Sequence, residues 1–84
     1  MNKSEWVKMI SDLLSKEKYS GVDFIYYTNE TKNGWFREIV RIDYNCGSIA
    51  EINVTGNSLG LILHEIVREV YGDGAYGRIT KEWW

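Results

Sequence analysis

The spacing of apolar residues changes period twice along this chain, and that change limits the possible folds more than any other feature. Trp6, Val7, Ile10, Leu13 and Leu14 recur at steps of three and four, with Glu5, Lys8, Asp12 and Lys16 turned away from them, as in a helix with one buried stripe. From Val22 the period drops to two, the signature of strands with one covered face. From Leu59 the helical step returns through Ile62, Leu63, Ile66, Val67 and Val70. The expected architecture is therefore α+β: a helix, a three-stranded antiparallel meander and a second helix, with both helices on one sheet face.

Turn and cap residues set the boundaries. The first helix is expected over 4–19, opened by an Asn2/Glu5 capping box and stopped by Ser20-Gly21. A first strand follows over 22–28, with Val22, Phe24 and Tyr26 on one face and Asp23, Ile25 and Tyr27 on the other. Residues 29–34 read as a polar hairpin loop ending in Asn33-Gly34. The second strand, 35–44, alternates Phe36, Val40, Ile42 and Tyr44 with Trp35, Arg37, Ile39, Arg41 and Asp43, and places one acid, Glu38, on the apolar side. After a turn at 45–47, a third strand is expected over 48–54. The second helix is expected to run to Tyr71 behind the cap cluster 55–58. A Gly-rich turn at 72–77 and an aromatic tail at 78–84 complete one domain of 84 residues whose core spans about 4–71.

Composition narrows the functional classes. A net charge of −2 is not that of a general polyanion binder. No run approaches the roughly 18 apolar residues of a membrane span, and residues 1–6 lack a signal-peptide pattern, so a cytoplasmic protein is expected. Cys46 is the only cysteine, which leaves no internal disulfide and no thiolate zinc site. Sequons at Asn2, Asn29 and Asn53 carry no weight without a secretory signal.

Catalytic chemistry finds little material. His64 is the only histidine, on the exposed side of the second helix beside Glu65 and Arg68, with no nucleophile to serve. The run 72–77 closes a helix, whereas phosphate-cradling glycine loops open one. No catalytic residue, metal site or cofactor is expected, and the chain reads as a non-enzyme.

Two surfaces are candidates for binding. Glu65, Glu69 and Asp73 recur every four residues and form an acidic stripe on the second helix. The uncovered sheet face is expected to gather Ile25, Tyr27, Trp35, Arg37, Ile39 and Arg41, and Trp, Tyr and Arg are the residue types enriched at interface hot spots. Two competing expectations concern this face: Trp83 and Trp84 fold back over it, or it self-associates.

The element order resembles the double-stranded RNA-binding domain, and the cluster Thr55-Gly56-Asn57-Ser58 stands where that family begins its last helix. The family's lysine cluster is replaced by Ser58-Leu59-Gly60-Leu61, so the likeness implies topology without RNA binding. The same layout, with the Glu65, Glu69, Asp73 stripe in a small acidic chain, is also similar to the phage-encoded anti-CRISPR inhibitors. That resemblance implies a stoichiometric inhibitor that occupies a surface of a larger defence protein, such as a Cas effector, with acids as phosphate surrogates or aromatics as anchors. The leading expectation is a non-enzymatic protein-binding module. The alternative is a nucleic-acid module that uses Tyr27, Trp35, Arg37 and Arg41 as a stacking platform.

Overall fold

The computed structural model describes residues 1–72. Asp73 and the expected features at 73–84 lie outside the described residues. The elements follow in the order α1 (Lys3–Ser15), β1 (Val22–Lys32), β2 (Trp35–Tyr44), β3 (Ile49–Asn53) and α2 (Leu59–Tyr71). The three strands form one antiparallel sheet in the order β1-β2-β3.

α1 begins with the reciprocal cap that its sequence promises. Asn2 Oδ1 accepts from the Glu5 amide at 2.8 Å, and the Glu5 carboxylate accepts from the Asn2 amide at 3.4 Å. The helix stops earlier than its periodicity suggests. The Ser20 hydroxyl donates to the Leu14 carbonyl and accepts from the Val22 amide, and Gly21 takes the positive φ of 69° that turns the chain into β1.

β1 departs from expectation in length and in phase. Asn29 to Lys32 pair with Glu38 to Trp35, so the strand continues to a two-residue turn at Asn33 and Gly34. Both turn residues have positive φ, 54° and 80°, as a type I′ hairpin requires. The phase change comes from a bulge: Val22 opposes Tyr44 but Phe24 already opposes Asp43. Val22 and Ile25 are therefore both buried, and Tyr27 packs against the core. Phe24 and Tyr26 turn to the opposite face, which corrects the expectation that Ile25 and Tyr27 would stand there.

Both helices cover the same sheet face. Val7 and Ile10 of α1 and Ile62, Ile66 and Val70 of α2 join Val22, Ile25, Val40, Ile42 and Val54 in one buried cluster. Each fully buried isoleucine there is worth roughly 2–3 kcal/mol of transfer free energy. Ser11 Oγ accepts the Ile25 amide at 2.7 Å and anchors α1 over β1. Trp6 Nε1 donates to the Leu59 carbonyl at 2.8 Å and ties the starts of the two helices together. Ser58 caps α2 by accepting the Leu61 amide at 3.2 Å. Among the described residues no helix is long and apolar enough to cross a membrane.

Candidate interaction surface

The helices leave the other sheet face open, and alternation fills it from all three strands. β1 contributes Phe24, Tyr26, Thr28, Glu30 and Lys32, β2 contributes Trp35, Arg37, Ile39, Arg41 and Asp43, and β3 contributes Ile49, Glu51 and Asn53. The Phe24 and Tyr26 rings stack with centroids 5.6 Å apart and planes 20° from parallel. The Arg41 guanidinium carbon lies 5.9 Å from the centre of the Tyr26 ring, and Arg41 Nε lies 3.5 Å from Asp43 Oδ1. Arg37 faces its cross-strand neighbour Glu30, with Nη2 to Oε1 at 2.6 Å. Both arginines on this face thus have a carboxylate beside them, and with Lys32 opposite Trp35 and Glu51 opposite Arg41 the face carries three cations and three acids, without the net positive field that a phosphate backbone would seek.

The hairpin runs past the end of β3, because β2 pairs with β3 only from Ile39 onward. The segment from Thr28 to Arg37 is exposed throughout, and Trp35 is 78% exposed. Phe36 has the parity of a core residue yet lies beyond the cover of the helices and is exposed too. Trp35, Phe36 and Arg37, with Glu30 and Lys32 of β1, Asn53 at the end of β3 and Thr55 just past it, line an open groove of about 820 Å³. An indole, a phenyl and a guanidinium around one groove can take up an apolar side chain and direct a hydrogen bond in the same contact.

The other expected site residues divide between the two faces. Ile39 is half-buried on the open face between the two arginines. Tyr27 stands on the covered face, where its hydroxyl donates to Glu38. Burial and that bond to an anion hold the phenol above its usual range. Glu65 and Glu69 are half-buried on α2, in the layer behind the sheet, and Glu65 lies 3.9 Å from Arg68. The acidic stripe and the aromatic face are therefore separate surfaces, and Asp73, its third member, lies outside the described residues.

Glu38, the acid noticed on the apolar side of β2, is the centre of a polar clamp. Only 3% of it is exposed. Its carboxylate accepts from Lys3 Nζ at 2.8 and 2.9 Å, from the Tyr27 hydroxyl and from the Gly56 amide at 2.9 Å. The Lys3 contact, helped by Tyr27, holds its pKa at about 2 despite burial. Every oxygen has a donor, so the group acts as a structural tie and not as a poised acid.

The sequence pattern pointed to Trp35, Arg37, Ile39 and Arg41 on the open face and missed Phe24, Tyr26 and Phe36. The bulge hid the first two, and the parity of Phe36 hid the third. Among the described residues, no group of three or more His, Cys, Asp and Glu side chains is placed to hold a metal ion. Compared with protein-family models, with curated proteins and with solved structures, the chain has no significant match in any of the three.

Proposed function

We propose that this chain is a small protein-binding module without catalysis of its own, which docks on a larger protein through its open sheet face and the projecting hairpin. The observation that carries this reading is Trp35, 78% exposed at the mouth of a groove shared with Phe36 and Arg37. A solvated indole has no part in the core, and large aromatics beside arginine are what protein interfaces concentrate. The charge pattern supports a protein over a nucleic acid, since Glu30 and Asp43 already face Arg37 and Arg41. The mode of action proposed is occupancy: the module covers a surface that the partner needs, as the resemblance to anti-CRISPR inhibitors implies. A Cas effector is the partner class to try first, inside a cell, where an exposed Cys46 stays reduced.

The test is parallel capture with the wild-type chain and with Trp35→Ala from a nuclease-treated lysate. A stoichiometric protein retained by the first and lost by the second supports the proposal. Equal capture by both places the site elsewhere.

One observation favours a second reading. The Phe24–Tyr26 stack with Arg41 above it resembles a platform for unpaired bases. Binding of a single-stranded oligonucleotide that weakens steeply with salt, and is lost in Tyr26→Ala, would put this reading first.

A further inference from the structure

β1 lies at one side of the sheet, and its outer edge is a run of unpaired backbone. In the order β1-β2-β3 each outer strand has one side without a neighbouring strand. Two observations fix which residues of β1 turn to that side. The Ile25 amide donates to Ser11 Oγ and so points away from β2. Glu38, opposite Asn29, donates its amide to Thr55 Oγ1 and accepts the Val54 amide on its carbonyl, so Asn29 exchanges no backbone bonds with it. The pairing is regular after Phe24, and alternation therefore turns the N–H and C=O of Tyr27, Asn29 and Thr31 outward. Among the described residues nothing bonds to these groups. The usual protections of an edge are missing too: the chain has no proline, and the bulge in β1 comes before this stretch.

We propose that a second copy of this chain occupies the edge, β1 against β1 in antiparallel order about a two-fold axis normal to the sheet, so that the two sheets become one. The ends of the free run set the register. Ser11 closes it at Ile25, and the turn at Asn33 and Gly34 closes it beyond Lys32, which puts Asn29 at its midpoint. Pairing centred on Asn29 engages every outward residue of both copies: Tyr27 meets Thr31 of the second copy, and Asn29 meets its own counterpart, with two backbone hydrogen bonds for each pair. On the open face this register sets Thr28 opposite Glu30 and Tyr26 opposite Lys32 of the second copy, and no like charges stand opposite each other. β3, the other edge, fails the same test. Its Val54 amide bonds to Glu38, so Ala50 and Ile52 also face β2, and Ile49, Glu51 and Asn53 face outward. The symmetric register of that edge would set Glu51 against Glu51, a direct like-charge pair. In the β1 dimer the two open faces lie on one side and present the Trp35 groove twice, although the pairing does not depend on any further partner.

Sedimentation equilibrium of the full chain from about 10 μM to about 1 mM is expected to show a monomer–dimer equilibrium. Over the same range, amide exchange at Tyr27, Asn29 and Thr31 should slow severalfold as the dimer fills, with Glu51 and Asn53 unchanged. A mixture of labelled and unlabelled copies reads the register, through an intermolecular nuclear Overhauser effect between the α-protons of Thr28 and Glu30, which face each other in a non-hydrogen-bonded pair. Thr28→Glu sets an acid opposite Glu30 at both symmetric positions and should raise the dimer Kd roughly 2- to 30-fold, whereas Thr28→Lys should lower it. A monomer at every concentration overturns the proposal. Protection of the three amides that does not change with concentration also overturns it, by giving the edge to residues of the same chain. Dimers that leave those amides exchanging freely, or that protect Glu51 and Asn53 instead, place the contact on another surface and overturn it as well. If the Thr28 variants fail to fold, the exchange and Overhauser measurements on the wild-type chain decide alone.

Discussion

Glu38 shows how much one side chain can join. It takes Lys3 from the first turn of α1, Tyr27 from β1 and the Gly56 amide from the loop before α2, while its own amide donates to Thr55 Oγ1 at 3.0 Å. A carboxylate held at about 2 in the folded state, against 4.5 when unperturbed, stabilises the fold wherever it is ionised in both states. The folded pKa is depressed, so this stability is full above about pH 4.5 and is lost as pH falls towards 2. It amounts to roughly 3 kcal/mol. Glu38→Gln is expected to lower unfolding free energy by that order at pH 7 and to flatten the loss between pH 5 and 2, measured by urea titration at several pH values. An equally steep acid loss in the variant would assign it to other carboxylates. Tyr27→Phe removes one donor to Glu38 and is expected to cost about 1 kcal/mol. Since Tyr27 stands behind the sheet, partner affinity should be unchanged. The sequence marked Glu38 as out of pattern, but Lys3 lies 35 residues away from it and no local pattern links the two.

Among the elements, the hairpin of β1 and β2 carries most of the groove and of the open face, and its turn depends on backbone conformation alone. A Cβ at Gly34 would meet nothing within 4 Å, yet φ is 80° there, so Gly34→Ala is strained without any clash. The expected loss is about 1 kcal/mol, seen in thermal unfolding and accompanied by weaker cross-strand contacts between Lys32 and Trp35. Gly60 is the opposite case. It lies in the first turn of α2, and a Cβ there would touch only Ser58 Oγ, at 4.0 Å. Gly60→Ala should therefore stabilise by roughly 0.5–1 kcal/mol. Element type and order were legible because each period runs long enough to be counted and each helix start has its cap residue. The phase of β1 was not, since a bulge inserts one residue and reverses every later side chain while Ile25 and Tyr27 look as apolar as Phe24 and Tyr26. The end of β1 was also hidden, because Thr28 to Lys32 are polar on both faces and pair through the backbone.

For the whole molecule, the sheet separates two surfaces that the sequence could not place relative to each other. Trp35 and Arg37 stand on one side of it, and Glu65 belongs to α2 on the other. A rigid partner engaging one flat patch reaches one of them and not both, so the two can be tested against each other. Trp35 makes no core contact, and Trp35→Ala should leave stability within about 0.5 kcal/mol. If the open face is the site, removing this indole weakens binding about 10- to 100-fold, equivalent to about 1.4–2.8 kcal/mol. Glu65→Lys should change affinity less than about threefold, because its charge sits behind the sheet and the Debye length of about 8 Å at physiological salt screens it from the contact. Titration calorimetry of both variants against the captured partner decides the matter. Loss of binding in Glu65→Lys with full binding by Trp35→Ala would move the site to α2 and make acidic mimicry, rather than aromatic anchoring, the basis of recognition.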